Sequence, residues 1–542
     1  MNRSAWSGFV LVLLVSGAWG QESGLSKASC AGLAKLTLPN TKIMLAEQVE
    51  AGAFPPRAPL PGAAPTQIYP QLPAFCRVVA EVAPSADSDI KVEVWMPVSG
   101  WNGKFRGQGN GGFAGEIDYG GLALAVFQGY ASGGTDTGHA GSGTDASWAM
   151  GHPEKVIDFG YRGIHEMTQK SKSIVDAYYG RAPKHSYFAS CSNGGREALM
   201  EAQRFPEDYD GILAGAPAYD WTHLLTNAVH NAQALTLNSA SYISAAKLPT
   251  IAAAVVAACD AADGVSDGIL NDPQRCHFDP EALRCKAAET DKCLTSPQVT
   301  ALKELYAGAH DSAGKLIFPG YLPGGEEGQG RWALWITGSA PGKSLMFAFG
   351  NGYFSNIVYA KPDWNYKTFS VDDGLKMAVE KTSPTLDATD ANLKPFGMRG
   401  GKLILWHGWN DPAISALSTI DYYKKVMNTN GERNAESFVR LFMVPGMQHC
   451  DGGPGPASFG QFGWRAGMGQ DDPQHDMYMA LEQWVEKGVA PERLIATKYE
   501  GEGAARRETM TRPLCAYPQT AKYKGSGETS DAANFVCAAG AR

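Results

Sequence analysis

Apolar and polar positions follow two rhythms along this chain, and each rhythm predicts an element. DIKVEVWMPV (89–98) alternates with period two and predicts a strand. WNGKFRGQGNGGFAG (101–115) follows it as a glycine-rich loop with unobstructed backbone N–H groups. YRGIHEMTQKSKSIVDAYYG (161–180) has helical spacing. SYFAS (186–190) then predicts a short buried strand, CSNGG (191–195) a turn, REALMEAQRFP (196–206) a helix and YDGILAGAPA (209–218) the next strand. Strand, turn, helix, strand is an α/β unit built on a parallel sheet.

Between about residues 219 and 395 this alternation is lost. The block holds four of the ten cysteines, the aspartate-rich CDAADGVSDGI (259–269) and an aromatic, glycine-rich run, GRWALWITGSAPGKSLMFAFGNGYF (330–354). It reads as a lid inserted between two parts of one core, 21–218 and 396–542. The α/β rhythm resumes with GGKLILWHGWND (400–411), a strand ending in a polar turn, and ISALSTIDYYKKVMN (414–428), a helix. SFVRLFMVPGMQHC (437–450) is a strand running into a loop, and DMYMALEQWVEKG (476–488) a last helix.

Composition allows a large core: 44% of the 542 residues are hydrophobic and 19% charged. A formal charge of −8 without a basic run makes nucleic acid an unexpected partner. The first residues, MNRSAWSGFVLVLLVSGAWGQ, carry Arg3, an apolar run from Phe9 to Val15, and Ala18 and Gly20 ahead of Gln21. That pattern predicts a signal peptide over 1–20 and an exported chain, secreted or periplasmic. The run is shorter than the roughly 20 residues a membrane helix needs, so no membrane association is expected.

Export changes the meaning of the cysteines, because an even number in an oxidising compartment predicts disulfides. Closeness in the chain favours Cys259–Cys276, Cys285–Cys293 and Cys515–Cys537, with Cys30–Cys76 near the N-terminus, although sequence alone leaves the pairing open. Cys191 and Cys450 remain, one directly before Ser192 and the other directly after His449. A bridge between them would draw a serine and a histidine together from opposite ends of the core.

Ser192, Asp411 and His449 stand in that order at the ends of successive predicted core strands, which is the chain order of an α/β-hydrolase. The chemistry needs all three: a serine hydroxyl is a weak nucleophile until an imidazole takes its proton, and a carboxylate must orient that imidazole. Gly194 lets a sharp turn close after the serine, leaving the Asn193 N–H free to face an oxyanion, with Gly112 in the glycine loop as second donor. The usual first glycine of G-x-S-x-G is here Ser190, small enough to substitute. Taken singly, Ser192 is an ordinary turn residue, His449 a loop histidine and Asp411 a helix cap; jointly they favour catalysis. His407 and Asp451 are expected to support the three from outside.

Cys191-Ser192, Asp411 within HGWNDPAIS and His449-Cys450 together resemble the pattern of the tannase and feruloyl esterase family, which also includes the hydrolase of mono(2-hydroxyethyl) terephthalate. The likeness continues through SYFASCSNGGREALMEAQRFPEDYDGILAGAP, RGGKLILWHGWNDPAISAL, LFMVPGMQHCDGGPG and TRPLCAYPQTAKYKGSG, nearly the whole mature chain. The resemblance implies an α/β-hydrolase fold with a large inserted lid, a Ser192–His449–Asp411 triad and a Cys191–Cys450 disulfide. It also implies that CDAADGVSDGI binds a structural Ca²⁺ through the carboxylates of Asp260, Asp263 and Asp267 and the carbonyls of Val265 and Ile269. Hard oxygen donors of that number suit the ion.

The aromatic run from Trp332 to Phe354 suits a flat aromatic acyl group on a small ester, free or attached to a polysaccharide or polyphenol. A terephthalate half-ester would want a cation for its free carboxylate, yet no arginine lies between Arg331 and Arg399. A feruloyl or other hydroxycinnamoyl ester is therefore expected first and a galloyl ester next. The half-ester, with Arg331 or Lys343 as the cation, is the alternative. An acyltransferase, or a non-catalytic binder of aromatic ligands on the same fold, represents the other classes.

Overall fold

A computed structural model describes residue 1 and residues 27–56, 68–327, 331–462, 472–501 and 505–539. Residues 2–20 of the expected signal peptide lie outside them. In chain order the strands are β1 Thr41–Val49, β2 Phe75–Val82, β3 Ile90–Pro97, β4 Lys104–Gln108, β5 Ala131–Thr135, β6 His185–Cys191, β7 Gly211–Gly215, β8 Gly308–His310, β9 Leu316–Pro319, β10 Lys402–Gly408, β11 Val439–Val444, β12 Arg493–Glu500, β13 Arg507–Cys515, β14 Gln519–Tyr523 and β15 Phe535–Ala539.

Nine of them form one sheet in the order β1-β2-β3-β5-β4-β6-β7-β10-β11. The first four in that order pair antiparallel, and from β5 to β11 every pairing is parallel. Helices Gly163–Tyr179, Asn193–Arg204, Ala416–Asn430 and Met477–Lys487 accompany the parallel part. Strands covered on both faces read as continuous apolar runs, and β10 is buried along Leu403–Gly408. This is an α/β fold, and in such sheets ligands bind beyond the carboxyl ends of the strands.

Three differences from the sequence reading have physical causes. The glycine-rich 101–115 stretch is not all loop, because Lys104–Gln108 is β4 at the middle of the sheet. Gly107 marks close approach there, since a Cβ would overlap the Tyr209 hydroxyl. The strand read over 209–218 stops at Gly215, and the chain turns at Ala216 with φ 34°. After the Met477–Lys487 helix the chain adds the β12–β13 and β14–β15 pairs, which no alternation had flagged.

Among the described residues no strand of the nine-stranded sheet falls between 216 and 401. That stretch holds helices Trp221–Thr236, Leu248–Cys259, Ser296–Ala307, Arg331–Trp335, Leu345–Gly352 and Val371–Leu386, and the small β8–β9 pair. Leu235, Ile251, Val299, Leu305 and Trp332 make a core of its own. Met346, Phe354 and Trp221 pack instead with Phe113 and Phe159 of the α/β part. Among the described residues one stretch, Ser239–Asp263, is long and apolar enough to cross a bilayer, but it is divided into short 3-10 turns and the Leu248–Cys259 helix. Within it the buried Lys247 ammonium donates to the Thr290 and Cys293 carbonyls.

Candidate active site

β6 ends at Cys191 and the next helix begins at Asn193, so Ser192 alone makes the turn between them. It does so at φ 66°, ψ −124°, a conformation an L-residue holds only when its surroundings enforce it. The enforcing contacts are backbone ones: Ser192 N–H donates to the Gly215 carbonyl at 3.0 Å, and its own carbonyl accepts from Arg196 at 3.1 Å and Ala218 at 3.0 Å. Gly194 is required here because a Cβ would overlap the Ser190 side chain, and a Cβ on Gly195 would overlap the Gly215 carbonyl. Ser190 thus fills the volume that the usual pattern leaves to two glycines.

β10 and β11 deliver the other two groups side by side. Asn410 N–H bonds the Met447 carbonyl at 2.9 Å, pinning the turn after β10 to the loop after β11. His449 Nε2 lies 3.0 Å from Ser192 Oγ, and His449 Nδ1 lies 2.8 Å from Asp411 Oδ2. Cys191 and Cys450 are joined, closing the same junction covalently across a sequence separation of 259. The other four bridges are Cys30–Cys76, Cys259–Cys276, Cys285–Cys293 and Cys515–Cys537.

Asp411 is fully enclosed. Burial alone would raise its carboxyl, but the charge and hydrogen bonds of His449 and His407 outweigh that and hold it well below the usual carboxylate range. Its Oδ1 accepts the Ala413 and Ile414 N–H groups at 2.7 and 2.9 Å, so it caps a turn rather than a helix, which starts only at Ala416. His407 supports it from the sheet side, with Nε2 3.0 Å from Asp411 Oδ2 and Nδ1 2.7 Å from the Thr419 hydroxyl. With Nδ1 facing the Thr419 hydroxyl, Nε2 is left to present its N–H to the carboxylate. Asp451 does not support the three: half-exposed, it pairs with Arg331 at 2.8 Å, because the chain turns outward at Cys450 with φ 63°.

Asn193 opens its helix, so its N–H has no intrahelical acceptor. Gly112 adopts φ 55° and makes no hydrogen bond through its N–H among the described residues. A Cβ there would press on Phe349 at 3.1 Å. Phe349 stacks on Trp335 at 6.2 Å, and Trp335 meets the His449 ring edge-on at 4.8 Å. The aromatic run therefore divides: Trp332 belongs to the lid's core, while Trp335 and Phe349 bridge the imidazole to the glycine loop.

The family model described as tannase and feruloyl esterase matches residues 76–538. The chain belongs to that family. An uncharacterised esterase from Xanthomonas campestris pv. campestris is 42% identical, over 94% of this chain and 91% of its own. A probable feruloyl esterase B from Aspergillus clavatus is 34% identical over 94% and 95%. The crystal structure of feruloyl esterase B from Aspergillus oryzae superposes with a TM-score of 0.84 at 30% identity, covering 94% of this chain and 99% of that one. Like the family, this chain is a carboxylic ester hydrolase with an α/β-hydrolase fold.

The tannase and feruloyl esterase resemblance also singled out the loop from Asp260 to Ile269, which closes largely on itself. Asp260 accepts the Gly268 N–H at 3.0 Å, Asp263 the Val265 and Asn271 N–H groups at 3.1 and 2.8 Å, and Asp267 the Ile269 N–H at 3.1 Å. Gly264 and Gly268, at φ 91° and 79°, permit the wrap. Burial and, further, the Asp267 charge raise the Asp263 carboxyl. Among the described residues one cation answers the three carboxylates: the buried Arg512 of β13, 2.6 Å from Asp267 Oδ2. The donor set, hard oxygens in excess of positive charge, fits Ca²⁺ in kind. The three carboxylates are not among the groups whose ligand atoms converge within 4.8 Å, so binding would require the loop to tighten.

The sequence reading missed Glu197, Arg196 and Arg512, all buried charges. Arg196 and Glu197 sit in the helix that follows Ser192, and charged residues there are ordinarily solvated. Only their neighbours on other segments bury them.

Proposed function

We propose that this enzyme hydrolyses an aromatic ester through an acyl-enzyme on Ser192. The supporting observation is the continuous relay of Ser192 Oγ, His449 and Asp411, with contacts of 3.0 and 2.8 Å. His449 takes the serine proton as Oγ attacks the ester carbonyl, and Asp411 stabilises the imidazolium. The Asn193 and Gly112 N–H groups bind the oxyanion. Collapse expels the alcohol with the proton from His449, and water repeats the cycle to release the acid.

The acyl ring is assigned to the space bordered by Trp335 and Phe349, where flat aromatic faces stand beside His449 and Gly112. A feruloyl or other hydroxycinnamoyl ester is the first substrate class and a galloyl ester the second. Of the two cations a terephthalate half-ester could use, Arg331 is paired with Asp451 at 2.8 Å and Lys343 is exposed. The names of the Aspergillus relatives weigh the same way. Ca²⁺ held by Asp260, Asp263, Asp267, Val265 and Ile269 would stabilise the lid and take no part in hydrolysis. Five disulfides support an exported location, secreted or periplasmic.

Hydrolysis of methyl ferulate, methyl gallate and the terephthalate half-ester by wild type and Ser192→Ala tests this reading. Ser192-dependent turnover with methyl ferulate fastest is expected. A large preference for the half-ester would overturn the phenolic assignment, and turnover surviving Ser192→Ala would overturn the mechanism.

A further inference from the structure

One buried carboxyl beside the nucleophile has no part in the relay. Glu197, one turn into the helix after Ser192, is 1% exposed. Its two oxygens reach different segments: Oε2 accepts the Asn110 N–H of the glycine loop at 2.8 Å, and Oε1 accepts the Asn193 side-chain amide at 2.9 Å. Both partners are anchored at their far sides. Asn110 Nδ2 donates to the Glu116 and Thr135 carbonyls at 2.7 and 2.9 Å. Asn193 Oδ1 accepts Arg196 Nε at 2.8 Å, and Arg196 donates to the Gly160 and Phe159 carbonyls at 2.6 and 3.0 Å. Gly109 leaves room for the carboxylate, since a Cβ there would lie 2.8 Å from Glu197 Oε2.

Asn110 precedes Gly112 by two residues, and Asn193 follows Ser192 directly. We propose that Glu197 is a positioning residue for the oxyanion hole, one carboxylate whose two oxygens tie the glycine loop to the nucleophile turn and so set the Gly112 and Asn193 N–H groups against each other. The proposal rests on the acyl-enzyme reading above. A carboxylate suits the task because it only accepts, through two oxygens, where two donors converge from separate segments. Glutamine has the same shape but would face one of those donors with its own NH₂ group.

The state of the carboxyl matters for the same reason. Burial pushes it up to about 7, against the charge of Arg196 and the hydrogen bonds from Asn110 and Asn193. The other titratable groups around it are Glu201 on the same helix and Tyr209 just before β7. Protonation turns one oxygen into a donor and breaks one tie, so activity should fall as Glu197 takes up its proton.

The test is kcat and KM for methyl ferulate across about pH 5 to 9 for wild type and Glu197→Gln, with circular dichroism and Tm as the control of folding. Expected is a roughly 10- to 100-fold loss of kcat in Glu197→Gln with KM within about twofold, because transition-state binding alone is loosened. The acid limb of wild type should contain an ionisation near 7 that Glu197→Gln lacks. A folded Glu197→Gln with wild-type kcat and an unchanged acid limb would overturn the proposal. If Glu197→Gln does not fold, Glu197→Asp, too short to reach both Asn110 and Asn193, takes its place: a loss of kcat at unchanged KM supports the proposal, and wild-type kcat overturns it. Turnover persisting in Ser192→Ala would instead remove the acyl-enzyme reading itself, so the two failures are distinguishable.

Discussion

The serine–histidine–aspartate relay and the Asp260–Ile269 loop were both marked by short motifs, but they are built in opposite ways. The relay is assembled from three strand ends up to 257 residues apart, and each member arrives with its partner already at hydrogen-bond distance. The sheet register, the Asn410–Met447 bond and the Cys191–Cys450 bridge fix it without any ligand. The loop is contiguous, and its carboxylates are occupied by their own backbone and by Arg512. Preorganisation is thus a property of the fold at the first site, whereas at the second it would depend on the proposed ion. Perturbing the first should therefore cost rate, with or without stability, whereas perturbing the second should cost stability alone.

The largest effect should come from Asp411→Asn. An amide at Oδ2 would oppose an N–H of His449 or His407, and kcat should fall by about 10⁴-fold with the fold retained, as measured by steady-state kinetics and circular dichroism. Loss below tenfold would mean that Asp411 does not orient His449. The double variant Cys191→Ser/Cys450→Ser should lower stability by about 2–5 kcal/mol in denaturant unfolding. Its activity per folded molecule should fall by about tenfold, because Ser192 and His449 lose their covalent register. Unchanged activity would assign the bridge to stability alone.

The ties from Glu197 to Asn110 and Asn193 were hidden from the sequence, and so was the pairing of Arg512 with Asp267. Ser192 was legible because its neighbours in the chain, strand before and helix after, make the turn themselves. Asp411 and His449 were legible because both follow apolar strands. A buried charge instead owes its burial to segments far away in sequence: Arg512 lies 245 residues from Asp267. His407 was expected beside the relay and lies there. Asp451 was expected there too, but the positive φ at Cys450 turns the chain outward before it. β4 was hidden by its glycine, whose role is to admit Tyr209.

Smaller effects concern stability. Removing divalent ions with EDTA should lower Tm by a few degrees while leaving the activity of folded enzyme at about 25 °C unchanged. Asp263→Asn should abolish that difference, and identical Tm values with EDTA and with added Ca²⁺ would contradict calcium binding. The smallest effect is expected at Glu201, buried beside Asp208 with no hydrogen-bond donor facing its oxygens among the described residues. Burial, then the Asp208 charge, raises its carboxyl well above the usual range. The folded chain therefore keeps a proton that the unfolded chain releases. Its stabilising contribution is complete below the ordinary glutamate range and is lost as pH rises toward the raised value. Glu201→Gln imitates the protonated form, so its Tm should decline less with rising pH than that of wild type. An equal decline would show that Glu201 is not the group responsible.

The most direct measurement is peptide mass spectrometry after reaction with a fluorophosphonate probe. The adduct is expected on the peptide containing Ser192, at one per chain, absent in Ser192→Ala and much slower in Asp411→Asn. A stoichiometric adduct on any other serine, or none on active wild-type enzyme, would contradict Ser192 as the nucleophile.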